Sequence, residues 1–223
     1  DEYLKNRWKN FSFEKATPSA EVGNIISQPK ESEQTTHISI IDKFGNAASI
    51  TTTLNGLYGS KVVVKGGGYF LNNEMDDFSV KPGVPNMFGA VGGEANSIVP
   101  NKRMLSSMTP TIVLKNGKPY IVVGTPGGTT IPTLVFQSIV NAIDFKLSPN
   151  FVINAPKFHH QWLPEVIYTE KNFPQHTIKV LEQKNYKFEN RNVIGRTEMI
   201  ILDENGNAIA VADGRGDDSV AVE

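Results

Sequence analysis

Two β-branched runs, Gln34-Thr35-Thr36-His37-Ile38-Ser39-Ile40-Ile41 and Ala47-Ala48-Ser49-Ile50-Thr51-Thr52-Thr53, leave few folds open to this chain. Asp42-Lys43-Phe44-Gly45-Asn46 joins them, and a Gly/Asn turn between two such runs is a hairpin signal. Thr35 then opens one strand and Thr53 closes its partner. Ahead of the hairpin, Gln28-Pro29-Lys30 breaks any regular element, and Glu31-Ser32-Glu33-Gln34 is polar throughout.

Taken alone, Thr35 reads as an ordinary strand-edge threonine. A second reading opens if the Gln34–Thr35 bond is cut. Thr35 would then carry a free α-amine, whose reference pKa of about 7.7–8.0 lets it act as general base for its own hydroxyl.

The 223 residues are enough for one domain with a substantial core, with or without an appendage. A net charge of -1 gives no electrostatic case for nucleic acid or an anionic membrane. The chain has no cysteine, which excludes disulfides and thiol catalysis. No apolar run reaches the length of a membrane span, and Asp1-Glu2-Tyr3 does not begin like a signal peptide. Tyr3, Trp8 and Phe11 are spaced like the end of an amphipathic helix that lacks a cap, so a fragment of something longer is expected.

Further along, Lys61-Val62-Val63-Val64 reads as an apolar strand, and the polar Asn72-Asn73-Glu74-Met75-Asp76-Asp77 as a loop presenting functional groups. Residues 81–100 form one long Pro-, Gly- and Asn-rich loop, a length that favours a functional role such as a lid. Thr111 to Leu114 and Tyr120 to Val123 should pair across Asn116-Gly117. Phe136, Ile139, Val140 and Ile143 fall at i, i+3, i+4, i+7, which predicts an amphipathic helix entered through a threonine cap with Pro132 in its first turn. Gly127-Gly128 lies between strand and helix, where unpaired amides could hold an oxyanion, or where glycine could simply tighten the turn. A short helix from Ser148-Pro149 to about Ala155 and another from Pro174 to Lys184, with Ile178, Val180 and Leu181 inward, are expected. A closing hairpin, Glu198 to Leu202 with Ala208 to Val211, repeats the Gly-Asn-Ala turn of the first one. His159-His160 are adjacent and therefore diverge, a poor chelate, and no phosphate-binding glycine motif is present. No metal and no other cofactor is expected.

Several motifs occur together in one order: Thr35-Thr36-His37, Thr53-Leu54-Asn55, Leu71-Asn72-Asn73-Glu74-Met75-Asp76-Asp77-Phe78, Pro82-Gly83-Val84-Pro85-Asn86, Asn101-Lys102-Arg103, Leu105-Ser106-Ser107-Met108, Pro126-Gly127-Gly128, and Ala155-Pro156-Lys157-Phe158-His159-His160-Gln161-Trp162. In that order the chain resembles the γ-glutamyltranspeptidases, closely from Thr35 to about Trp162 and more loosely to Asp213. The resemblance implies an α+β fold, an N-terminal-nucleophile hydrolase whose αββα sandwich is shared between two subunits. Residues 1–34 would be the tail of the large subunit and 35–223 the small catalytic subunit. Thr35 would attack the Gln34 carbonyl to free itself. It would then cleave γ-glutamyl amides such as glutathione, passing the acyl group to water, amino acids or peptides.

By the same resemblance Thr53 tunes Thr35, Gly127 and Gly128 form the oxyanion hole, Asn55, Glu74 and Asp77 hold the glutamyl α-amino group, and Ser106 and Ser107 its carboxylate. Phe88 stands in the lid where many bacterial members carry a tyrosine that bonds the asparagine at 55. Met104 replaces a usual proline, Thr129-Thr130 replaces a Ser-Arg pair, and the arginine that pairs the substrate carboxylate belongs to the large subunit. The partners implied are that large subunit, a γ-glutamyl donor and an acceptor, with no nucleic acid, and the location implied is periplasmic or secreted. Two alternatives remain: a related acylase acting on β-lactams or poly-γ-glutamate, and an unprocessed, inactive fragment.

Overall fold

The protein is represented by a computed structural model that describes residues 1–9, 11–22 and 35–222. In chain order the elements are α1 (Glu2–Trp8), α2 (Ser19–Val22), β1 (Thr35–Ile41), β2 (Ala47–Thr53), β3 (Thr111–Lys115), β4 (Lys118–Gly124), α3 (Ile131–Ile143), α4 (Pro149–Asn154), β5 (Phe158–His159), β6 (Ile167–Glu170), α5 (Gln175–Glu182), β7 (Phe188–Arg191), β8 (Glu198–Leu202) and β9 (Ala208–Val211). Short 3-10 turns cover Glu74–Asp77, Glu94–Asn96 and Gly128–Thr130.

The first hairpin forms where the sequence places it, with Thr35 opposite Thr53 in an antiparallel register. Its turn is tied by one aspartate. Asp42 accepts the amides of Phe44 and Asn46 at 2.8 and 2.9 Å, while Asn46 donates its side-chain amide to it at 2.8 Å. Asp203 repeats this device, accepting from the Asn205 and Asn207 amides at 2.8 Å each. In both turns the side-chain bond from the asparagine lowers the aspartate pKa, and glycine supplies the left-handed residue, Gly45 at φ +83° and Gly206 at φ +85°.

Alternation along β1 and β2 sorts their side chains. Thr35 and His37 are buried on one face, whereas Ile38, Ile40 and Ile50 lie on the other, 44–49% exposed. The buried face packs on the four-stranded antiparallel sheet β3-β4-β8-β9. Contact there is close: a Cβ at Gly124 would lie 2.1 Å from the His37 ring, and Ser49 donates to the Val123 carbonyl at 3.1 Å. His37 is hydrogen-bonded to Thr51 and Ser39, and burial pushes its pKa down to about 4, so it is neutral.

On the opposite face of the sheet, Ile121, Val123, Met199 and Ile201 meet Ile131, Val135 and Ala142 of α3 and Val152 and Ile153 of α4. Helices, sheet and hairpin thus form three layers of an α+β sandwich, and the hairpin's isoleucine face carries the surface a fourth layer would cover. A smaller sheet, β5-β6-β7, lies beside α3, where Leu134 joins Val166, Tyr168 and Ile194.

Several expectations need correcting. Residues 61–64 form no strand, only a single bridge from Val63 to Phe70, and Val62 and Val63 are exposed. The buried stripe of α3 is Ile131, Leu134, Val135, Ser138 and Ala142, which leaves Phe136 64% exposed. The stripe is rotated because the helix packs on the four-stranded sheet and also on the smaller cluster around Leu134. Thr130 is no cap: its backbone is helical, and its hydroxyl donates to the Gly127 carbonyl at 2.7 Å. Val180 is exposed, since α5 lies on the surface with no fully buried residue. Phe11 falls outside α1 and stacks edge-on against Trp8.

Two polar assemblies lock distant segments together. Arg215 makes a bidentate pair with Glu170 at 2.7 Å, reaches Asp213 at 2.9 Å, and donates to the carbonyls of Ile153 and Ala155 at the end of α4. Lys157 completes the cluster 4.0 Å from Asp213, and burial, followed by the Arg215 charge, lowers its pKa to about 8. At the N-terminal side, Ser19 donates its hydroxyl to the Trp162 carbonyl, and the Trp162 indole donates back to the Ser19 carbonyl, both at 2.7 Å. Ser19 also donates its amide to Glu165, and Ala16 donates to Lys184 at 2.7 Å. Trp162 adopts φ +74°, a strained conformation for an aromatic residue.

Candidate active site

Thr35 and Thr53 meet at the open end of the hairpin. Directly beyond Thr53 the chain reverses at Asn55, a buried residue at φ +72°, whose amide donates to the Thr53 hydroxyl at 2.9 Å. The Asn55 side chain donates to the Asn73 carbonyl at 3.1 Å, and the Asn73 side chain accepts the Gly56 amide at 2.8 Å. These bonds hook the Asn72-Asn73 segment onto the strand end.

That hook fixes the Glu74–Asp77 turn, where Glu74 and Asp77 lie side by side. Burial, then the Asp77 charge, raises the Glu74 pKa to about 7, and burial together with Asp76 raises that of Asp77. Near neutrality the two share a proton, and one buried Glu74 oxygen lacks a hydrogen-bond partner among the described residues. Such a pair suits a cationic ligand. Asn96 brings the serines close by: it donates to the Asp77 carbonyl at 2.7 Å and accepts the Leu105 amide at 2.9 Å, next to Ser106 and Ser107.

Gly127, at φ +139°, and Gly128, at φ +56°, form the bend between β4 and α3. A Cβ at Gly127 would lie 2.4 Å from the Thr130 hydroxyl, so only glycine fits. The bend enters a helix start, where the first amides have no intrahelical acceptor. Ser49 lies over Val123 and His37 over Gly124, so the same line continued along the hairpin runs from Thr35 toward this bend.

In the lid, the contact to Asn55 comes from the residue next to Phe88. Phe88 is buried, and the neighbouring Met87 receives the Asn73 side-chain amide at 3.3 Å and that of Asn55 at 3.9 Å. Its own amide donates to Asp76 at 2.8 Å. Met87, Asn73 and Asn96 were missed by sequence reasoning. Only the doubled asparagine at 72–73 offered a signal, because the other two act through contacts distant in sequence.

His159 is buried between Thr133 and Gln161 at 2.8 and 2.9 Å, and burial lowers its pKa to about 4. Among the described residues no group of three or more His, Cys, Asp or Glu is arranged to hold a metal. Gln34, the other side of the expected cut, lies outside the described residues.

The sequence profile of the Gamma-glutamyltranspeptidase family matches residues 1–223. The Escherichia coli (strain K12) glutathione hydrolase proenzyme is 47% identical over 218 residues, which are 98% of this chain and 38% of that protein. The chain therefore spans well under half the length of that relative. The crystal structure of a mutant Helicobacter pylori gamma-glutamyltranspeptidase superposes with a TM-score of 0.78 at 46% identity, covering 81% of this chain and 100% of that one. A cephalosporin acylase from Bacillus halodurans superposes equally well, TM-score 0.78, at 26% identity over 99% of this chain and 38% of that one. A match along the whole length, at this identity and on this scaffold, leaves one assignment: the chain belongs to the gamma-glutamyltranspeptidase family.

Proposed function

We propose that this chain carries the catalytic part of a self-cleaving γ-glutamyl transferase and hydrolase, and that residues 1–34 are the tail of its large subunit, severed from the small one at Gln34–Thr35. One observation carries the reading: the proton-sharing Glu74–Asp77 pair is hooked through Asn73 and Asn55 to the strand end that sets Thr53 opposite Thr35. A nucleophile and an ammonium site joined in this way suit a substrate with a free α-amino acid head. The glutathione hydrolase name of the Escherichia coli relative supports the same substrate class.

In the reaction, the Thr35 α-amine takes the proton from its own hydroxyl as the oxygen attacks the γ-carbonyl. Gly127 and Gly128 amides receive the oxyanion, and the departing amine takes the proton. Water or an incoming amine then breaks the ester. Glu74, Asp77 and Asn55 hold the α-ammonium, and Ser106 and Ser107 the α-carboxylate. A second subunit from the same precursor supplies the missing arginine and covers Ile38, Ile40 and Ile50.

Glu74 sets a pH dependence. Its folded-state pKa of about 7 lies above the ordinary 4.5 of a glutamate, so the folded form holds a proton that is lost as pH rises through 7. Losing it takes the pair from one negative charge to two, which strengthens its grip on an ammonium. The donor KM is therefore expected to fall about fivefold between pH 6 and 8, and Glu74→Gln to flatten that dependence. A parallel fall in the variant would refute the assignment.

The test of function is turnover of a γ-glutamyl anilide by the full-length processed protein, beside hydrolysis of a cephalosporin side-chain amide. The acylase neighbour makes the second substrate a fair competitor. Preference for the anilide is the expected result; preference for the cephalosporin amide would replace this reading with the acylase one.

A further inference from the structure

Beside the Pro126–Gly127 bend lies a cavity of about 330 Å³ whose remaining lining is Val193, Gly195, Arg196, Arg215 and Gly216. Among the described residues its charged lining is two arginines, with no carboxylate. A space of that volume is about 7 Å across, close to the length of an extended dipeptide.

The two arginines are not equivalent. Arg215 is saturated by Glu170, Asp213 and two carbonyls. The side chain of Arg196 is 29% exposed and lies across Gly216, where a Cβ would meet its Cδ at 2.3 Å and its Nη1 at 2.5 Å. Its backbone is pinned by the amide bond to the Thr125 hydroxyl at 3.1 Å, one residue from Pro126. Three carboxyl groups face it. Asp217 pairs with it at 2.9 Å but is 99% exposed, so water screens the interaction. Asp218 lies farther away, at 3.7 Å, and the third, Glu198, has its pKa raised to about 8 by burial and by the Asp218 charge. Arg196 thus makes its one close pair with a carboxylate in open water, and its second carboxylate partner stands 3.7 Å away.

We propose that Arg196 binds the carboxylate of the amino acid or short peptide whose amine leaves, or attacks, the γ-glutamyl carbonyl. The inference rests on the function proposed above and adds the half of the substrate which that reading left without a site. The glutamyl head is held on the Asn55, Glu74 and Ser106 side, whereas this cavity adjoins the Gly127 bend. In the transfer step the acceptor nitrogen forms the new C–N bond, the bond from carbonyl carbon to the Thr35 oxygen breaks, and the nitrogen's proton returns to that oxygen through the Thr35 amine. A carboxylate on Arg196 would hold the nitrogen at that carbon.

The experiment uses the full-length processed protein with a γ-glutamyl anilide donor and two acceptors, glycylglycine and glycylglycinamide, which differ only in the carboxylate. Wild type is expected to show an acceptor KM about tenfold lower for glycylglycine, a typical value for one charge-assisted contact. Arg196→Gln should abolish that difference and Arg196→Lys should keep part of it. Asp217→Asn, which removes the exposed competitor, should lower the glycylglycine KM, and it carries the test alone if Arg196→Gln does not fold. Equal acceptor constants in wild type, a difference that survives Arg196→Gln, or an Asp217→Asn variant with unchanged KM would overturn the subsite. Anilide hydrolysis without acceptor separates the two readings. Its absence in wild type overturns both, and its presence with any of those results overturns the subsite alone.

Discussion

Thr35→Ala in the full-length protein is expected to give a chain that stays whole and turns over no γ-glutamyl anilide. Removing a nucleophile that no neighbour can replace costs on the order of 10⁴–10⁶ in kcat. Thr35 has a double claim on the role. It sits at the first position of a strand, where a cut before it frees an amine, and it is buried, so that amine acts in a site that water reaches poorly. Thr35→Ser keeps hydroxyl and amine together and should retain slow cleavage. The measurement is intact mass: wild type should yield one piece ending at Gln34 and another beginning at Thr35. Cleavage at that bond in the alanine variant would remove Thr35 from the mechanism.

Arg215→Met should have the largest effect on stability. Breaking a buried ion pair from one side costs about 3–5 kcal/mol, because the partner charges stay behind in a poor solvent. Glu170 and the fully buried Asp213 would both lose their main cation, and the carbonyls of Ile153 and Ala155 would lose a donor. Lys157, 4.0 Å from Asp213, is too far away to substitute. Its own pKa should rise once the neighbouring positive charge is gone, since that charge helps to hold it near 8. Urea unfolding of variant and parent at constant pH would measure the loss, and equal midpoints would show that the cluster is replaceable.

Legibility from sequence followed the range of the forces involved. Both Asx-tied hairpins and the Asn116-Gly117 turn are written in residues adjacent along the chain, so they were readable. Thr35, Thr53, Asn55, Glu74 and Asp77 were readable as members of a motif set, and the structure bonds Asn55 to Thr53 and to Asn73, the residue before the paired Glu74 and Asp77. The rotated stripe of α3 was not, because its second packing partner, the cluster at Val166, Tyr168 and Ile194, lies 32 or more residues downstream of Leu134. Val62 and Val63 have strand-forming side chains but only one bridge to hold them. Met87 escaped because a thioether is a weak acceptor that no pattern flags, and Arg215 because it gathers groups up to 62 positions away.

Ser19 and Trp162, which clasp each other from opposite sides of the expected cut, change what cutting means for the molecule. While the chain is continuous its unfolding is unimolecular, with a midpoint independent of how much protein is in the tube. Once the bond before Thr35 is broken, the piece bearing Ser19 becomes a ligand of the piece bearing Trp162. The folded state is then stabilised by mass action, by about 2.7 kcal/mol when the free piece stands at one hundred times its Kd. Dilution would then weaken the cut protein while leaving the uncut one untouched.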